Sequence, residues 1–195
     1  MSVRNAVVLI VVLELLSAAL AISHFGYTLE GLLAVTRYSG RLSLAIFSII
    51  FILLPVHDQR LSAVLSSHYF LVFAIAHGIH LLQLLGFVYL SGNELIPIRL
   101  AGGFLAYAFI FAMPVIHHYT KTGKVSDQKF RWAQSVYLYY VWFIFFMSYL
   151  PRVQGKLPNV GGNYSEFVVL LCWVCALLGM KLPALIFPSK RTGTP

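Results

Sequence analysis

Two histidines, His77 and His80, lie inside a long apolar segment and are the first candidates for chemistry. Ionisable side chains within membrane-spanning segments are costly and usually serve a function. A spacing of three residues places both imidazoles on one face of a helix, and Gly78 between them leaves room for a flat cofactor or a neighbouring helix. Neutral imidazole is a good iron ligand, so the pair indicates a haem b site, and a hydrogen bond across a helix interface is the equal alternative.

Other ionisable groups fall in or near the apolar segments. Glu14 lies in the middle of the first segment, where we expect it to pair with a polar group on a neighbouring helix; a proton-relay role stays open. His117 and His118 end the fourth segment and are interpreted as residues of the membrane interface, with an iron-ligand role as the alternative. The same interpretation applies to the histidines near other segment ends, His24, His57 and His68.

The elements that position these residues follow from composition. The chain is 59% hydrophobic and 10% charged, whereas a soluble domain carries about 25% charged residues. An apolar helix of about 20 residues crosses the hydrocarbon layer, and helices satisfy their own backbone groups there. We therefore predict an all-α integral membrane protein, a single six-helix domain over residues 1–195, with spans at about 5–23, 41–56, 67–90, 99–117, 132–150 and 166–187.

The formal net charge of +8 predicts topology. The basic residues lie in short connections and not in a patch, so membrane lipid, and not nucleic acid, is the expected partner. Cytoplasmic connections collect Lys and Arg. One side would carry Arg4, Arg60, Lys121, Lys124, Lys129, Arg131, Lys181, Lys190 and Arg191, and the other Arg37, Arg41, Arg99, Arg152 and Lys156. Both termini are therefore predicted to be cytoplasmic.

Several motifs between residues 37 and 152 resemble those of the ferric-reductase-like transmembrane family, in particular its short bacterial members such as the haem-binding membrane subunit of the methionine sulfoxide reductase system. They are the segment 38–44 with its Leu-Pro end at 54–55, the His-x-x-His-Leu of 77–81, the Gly-Gly-Phe of 102–104 with the following basic loop and Trp132, the Tyr-Tyr-Val-Trp of 139–142, and the Ser-Tyr-Leu-Pro-Arg of 148–152. The resemblance implies a six-helix bundle in the bacterial inner membrane, with one or two haems b between spans three and five.

The chain departs from this family in span five, which contains no histidine. The family's span-five histidines align with Gln134 and Met147, so these two become candidate cofactor-binding residues beside His77 and His80. His80 and Met147 lie at similar depths, about 20 Å and 24 Å from the cytoplasmic ends of their spans, and methionine is a known axial ligand. A five-coordinate haem on His77 or His80, or a ligand from His24 or span four, is the alternative.

The expected function is a haem b-binding electron-transfer membrane subunit, with His77 and His80 as the candidate iron ligands. The chain has no glycine-rich dinucleotide fingerprint, so electrons would come from a partner membrane or redox protein, a quinone or a flavin. It would be an electron relay of an oxidoreductase and not a complete enzyme. The alternative is a haem-free structural or assembly subunit of a larger membrane complex that has lost the cofactor. A transporter would need paired intramembrane charges in both halves, and only Glu14 is present.

Overall fold

In the computed structural model, which describes residues 2–54, 58–92, 97–156 and 163–186, the chain is helical and the described residues form no strand. Seven helices follow one another along these residues. They are α1 Val3–Phe25, α2 Leu29–Leu53, α3 Asp58–Leu65, α4 Tyr69–Ser91, α5 Pro97–Lys121, α6 Asp127–Val153 and α7 Tyr164–Ile186.

Five helical segments are long and apolar enough to cross a membrane: α1, α2, α4, α6 and the Tyr164–Lys181 part of α7. The all-α prediction is confirmed for the described residues, and the five apolar helices are compatible with a multi-pass membrane protein. By contrast, α3 has only 8 residues. Helix α5 has 25 residues but is not among the five, and its last turns contain Pro114 and the polar residues His117, His118 and Lys121.

The helix α2 begins at Leu29, earlier than the predicted start of the second span at residue 41. Thr28 starts it by accepting a hydrogen bond from the backbone N–H of Gly31 at 3.0 Å, as an N-cap residue does. Arg37, which precedes the predicted second span, and Arg41, its first predicted residue, both lie inside the helix. A long cationic side chain can keep its charge near neighbouring polar or aromatic groups, and the Arg41 guanidinium lies 5.5 Å from the centre of the Tyr38 ring.

The chain divides into two compact units, residues 1–145 and 146–195. In the first unit, α2 packs against α1 and α4, and α4 also packs against α1 and α5. Ala21 of α1 and Ala34 of α2 are fully buried in a small cluster with Val35. Small side chains let two membrane helices approach closely, which explains how α1 is held.

An aromatic core joins α2 to its neighbours within the first unit. The ring of Phe47 lies 5.7 Å from that of Phe73 on α4 and 5.3 Å from that of Phe145 on α6. The Phe51 ring meets Tyr139 edge-on at 5.8 Å. Such offset and edge-to-face contacts are the favoured geometries of aromatic pairs, so this core fixes the face of α4 that carries the histidines.

The second unit contains the end of α6 and the helix α7. Within it, Arg152 donates a hydrogen bond to the backbone carbonyl of Ser148 and lies 5.3 Å from the centre of the Phe167 ring. Cys172 and Cys175 are exposed free thiols on α7. The single domain over residues 1–195 stays a prediction.

Candidate functional site

The imidazoles of His77 and His80 lie side by side on one face of α4, with ring centres 5.3 Å apart. This is the arrangement expected for residues three apart on a helix. The helix continues past both residues and ends at Gly92, whose positive φ of 64° gives a left-handed C-cap. The pair is therefore held by a regular helix and is not part of a loop.

His77 is 9% exposed and is enclosed by aromatic rings. It stacks on Phe73 at 5.3 Å, lies 5.0 Å from Tyr107 of α5 and meets Phe145 of α6 edge-on at 5.9 Å. Its Nδ1 atom is buried and has no hydrogen-bond partner. Buried polar atoms in proteins are nearly always paired, so an unpaired nitrogen in this position points to a ligand or a proton donor outside the described side chains.

His80 packs against the backbone of α2 at Gly40. A Cβ atom on Gly40 would lie 3.1 Å from Cε1 of His80, so any larger residue would push the ring away. The His80 ring also hydrogen-bonds the backbone of Thr36, one turn earlier on α2. Its Nδ1 atom is buried without a partner, like that of His77. The hydrogen bond to Thr36 thus holds the ring against α2, while Nδ1 has no hydrogen-bond partner.

A cluster of polar side chains joins α1, α2 and α4 next to the imidazole pair. Glu14 of α1 is 3% exposed, and its Oε1 accepts a hydrogen bond of 3.0 Å from the Ser39 hydroxyl of α2. The side chain of Gln83 on α4 is its second hydrogen-bonding neighbour. The expectation that Glu14 pairs with a polar group on a neighbouring helix is confirmed. We call Glu14, Ser39 and Gln83 the carboxyl cluster.

The space that Gly78 leaves on α4 is occupied by a neighbouring side chain. The ring of Phe111 on α5 lies 3.6 Å from the position a Cβ atom would take. Of the two predicted uses of this glycine, the close approach of a neighbouring helix is the one observed.

The candidates from span five, Gln134 and Met147, belong to different compact units. Gln134 is buried on the face of α6 that also carries Phe130 and Tyr137, four residues before it and three after it. The Phe130 and Tyr137 rings pack against Phe70 near the start of α4. Gln134 therefore lies at the level of Phe70, about two helical turns before His77, and not beside the imidazole pair. Met147 belongs to the second unit and is 42% exposed.

His117 was interpreted as an interfacial residue, but the structure buries it. It is 9% exposed and its ring stacks on Phe130 at 5.4 Å, with Tyr69 and Phe70 of α4 at 5.1 and 5.3 Å. The sequence contains a signal for this, because His117 continues the helical repeat of the buried residues Ala106, Ile110 and Met113. We call His117 with these three aromatic rings the His117 cluster.

The structure describes three of the four other histidines near helix ends. His24, His68 and His118 are exposed. His57 lies outside the described residues.

The described residues contain no group of three or more His, Cys, Asp and Glu side chains placed to hold a metal ion. The imidazole pair therefore offers two nitrogen ligands from one helix and needs a further ligand from elsewhere. No protein-family model, curated protein or solved structure matches the chain. The chemistry of the site has to be argued from its own residues.

Proposed function

We propose that this chain is a haem b-binding, electron-transfer subunit of a membrane oxidoreductase. The observation that carries the proposal is the pair of buried imidazoles on α4, each with an Nδ1 atom that has no partner. Iron-ligating histidine commonly uses one ring nitrogen for the metal and the other for a hydrogen bond that fixes the ring. His80 meets this requirement, because its ring is anchored on the backbone of Thr36 and still has one nitrogen free.

The remaining residues of the site support this role in different ways. His77 would serve as the alternative ligand or as a neighbour of the iron ligand, since two residues on one helix face cannot take opposite sides of one porphyrin. Phe73, Tyr107 and Phe145 surround His77 and exclude water. Gln134 is not proposed as a ligand, because it lies at the level of Phe70. A ligand role for Met147 stays a prediction from the sequence. A haem bound here would supply one-electron chemistry.

The proposed membrane arrangement has six crossings, which are the five apolar segments named above and α5 in addition. Its 25 residues span about 37 Å, which is enough for the hydrocarbon layer. In this arrangement both termini are cytoplasmic in a bacterial inner membrane, lipid surrounds the bundle, and a redox protein, quinone or flavin donates electrons. Reporter fusions at the two termini test it: six crossings put both reporters on the cytoplasmic side, and five crossings put them on opposite sides.

A reduced-minus-oxidised visible spectrum of the purified chain tests the haem proposal. The expected result is a Soret and an alpha band that are lost in the His77→Ala/His80→Ala double variant. His118→Ala is the matched control, because His118 is exposed on α5 and its removal should leave the bands unchanged. A wild-type chain that is folded, purified from haem-replete cells and free of these bands would contradict the proposal.

The second candidate is a haem-free structural subunit of a larger membrane complex. The observation in its favour is the close packing around His77, where Phe73 and Tyr107 both have ring centres within 5.3 Å of the imidazole. A filled aromatic site needs no cofactor for its stability. This candidate predicts a flat spectrum together with stoichiometric co-purification of another membrane chain.

A further inference from the structure

The carboxyl cluster contains two buried oxygen atoms that lack a hydrogen-bond partner. They are Oε2 of Glu14 and Oε1 of Gln83, which belong to side chains in hydrogen-bonding contact with each other. The cluster lies where three packed helices meet, because Glu14 is on α1, Ser39 on α2 and Gln83 on α4. Two unpaired acceptors at such a junction require an additional donor.

The hydrogen-bonding neighbours of the Glu14 carboxyl group, Ser39 and Gln83, are both neutral. The cationic residues of α2 nearest in sequence, Arg37 and Arg41, are each two residues from Ser39. Two residues correspond to a rotation of about 200° on a helix, so they leave α2 on the opposite side from Ser39. On α4 the nearest titratable group is His80, one turn before Gln83 and on the same face. An isolated carboxylate is strongly disfavoured in such surroundings.

A single proton on Glu14 would satisfy both unpaired oxygens. The Oε2–H group of the acid would donate to Oε1 of Gln83, while Oε1 of Glu14 continues to accept from the Ser39 hydroxyl. The amide of Gln83 can present its oxygen to the acid because its two ends exchange by rotation about the last side-chain bond. Without the proton, Gln83 can donate through its nitrogen but the carboxylate keeps its full charge.

We propose that the carboxyl cluster is a reversible proton-binding site, in which Glu14 carries the proton and shares it with Gln83 across the α1–α4 contact. Proton binding neutralises the carboxylate, and proton loss leaves an anion between three helices. The site therefore links the protonation of Glu14 to the packing of α1 on α2 and α4. This proposal does not depend on haem.

Infrared difference spectroscopy of the purified chain in lipid detects the site directly. Spectra in H₂O and in D₂O are compared, because the acidic proton of a carboxylic acid exchanges with the solvent. The expected result is the carbonyl stretch of a protonated carboxylic acid that shifts in D₂O and disappears on raising the pH. The band should be absent in Glu14→Gln and present in Glu30→Gln, the matched control, because Glu30 is exposed in the first turn of α2.

Gln83→Leu provides a second measurement that does not require removal of the acid. Loss of the amide partner should move the carbonyl stretch to higher frequency, because the acid then makes one hydrogen bond fewer. A change in the frequency of the carbonyl stretch in Gln83→Leu supports the shared proton, and an unchanged frequency overturns the proposal. If Glu14→Gln does not fold, ¹³C-labelled glutamate shows that the band belongs to a glutamate. Its presence in Glu30→Gln then excludes Glu30 as the source. A carboxylic acid band at neutral pH that is unchanged in Glu14→Gln, or no such band at neutral pH, also overturns the proposal. These readouts detect the acid itself, so their failure is separate from a failure to find haem.

Discussion

The first compact unit contains two buried histidine sites, and a buried ring nitrogen without a hydrogen-bond partner distinguishes the imidazole pair from His117. His77 and His117 are equally buried, each at 9% exposure, and each contacts aromatic rings. The imidazole pair has unpaired Nδ1 atoms, and a glycine on α2 lets His80 approach the backbone. The His117 cluster has three aromatic rings packed around one imidazole.

This comparison teaches that burial alone does not identify a ligand-binding histidine. A histidine enclosed by aromatic rings contributes to the core like any flat side chain. A histidine with an unpaired buried nitrogen lacks a bond that folded proteins normally provide. This difference supports the proposed binding role of the imidazole pair, whereas the rings around His117 support a packing role.

The largest effect is expected at the His117 cluster. Phe70→Ala removes a fully buried ring that contacts Tyr69, His117, Phe130 and Tyr137, and should lower the free energy of unfolding by about 3–5 kcal/mol. Unfolding in mixed micelles measures it. Phe104→Ala is the control, since that ring is 76% exposed and its loss should change stability by less than about 0.5 kcal/mol. Equal effects in the two variants would show that this cluster is not a packed core.

An intermediate effect is expected at the imidazole pair. In Gly40→Ala, the new methyl group meets Cε1 of His80, and this contact should lower the free energy of unfolding by about 1–3 kcal/mol. The higher helix propensity of alanine should offset up to about 1 kcal/mol of this loss. Gly86→Ala is the matched control on α4, where a Cβ atom meets nothing within 4 Å, and should be neutral or stabilising. Thermal unfolding of both variants measures the two changes in stability. A stabilised Gly40→Ala would mean that His80 does not depend on this close approach.

The smallest effect is expected at a tyrosine beside the His117 cluster. The hydroxyl of Tyr137 is buried without a partner, so Tyr137→Phe should leave stability unchanged or raise it by up to about 1 kcal/mol. Tyr140→Phe is the contrasting variant, because its hydroxyl donates a 3.1 Å hydrogen bond to the carbonyl of Gly102, and it should lose about 0.5–1.5 kcal/mol. Chemical unfolding compares the two. A clear loss in Tyr137→Phe would reveal a partner for that hydroxyl and a polar role for the cluster.

Part of the candidate site could be predicted from local sequence. The spacing of His77 and His80 predicts a shared helix face, and the structure places both rings there. The partner of Glu14 could be predicted only as a polar group on another helix, because nothing in the sequence selects Ser39 among the hydroxyl residues of α2. The helical repeat of Ala106, Ile110 and Met113 predicts the burial of His117, whereas its place at the end of an apolar segment favours the membrane interface. The helix α2 begins at Leu29, before the predicted span at 41–56, because a helix can extend beyond the apolar stretch that hydropathy detects.

The sequence by itself determined that the chain is built from long apolar helices, because hydropathy and helix length are properties of contiguous residues. Only the tertiary structure decided that Gly40 lies beneath His80, that Phe111 covers Gly78, and that Ser39 and Gln83 meet Glu14. These contacts depend on the rotation and depth of one helix against another. Helix packing sets both through side chains that are far apart in the sequence.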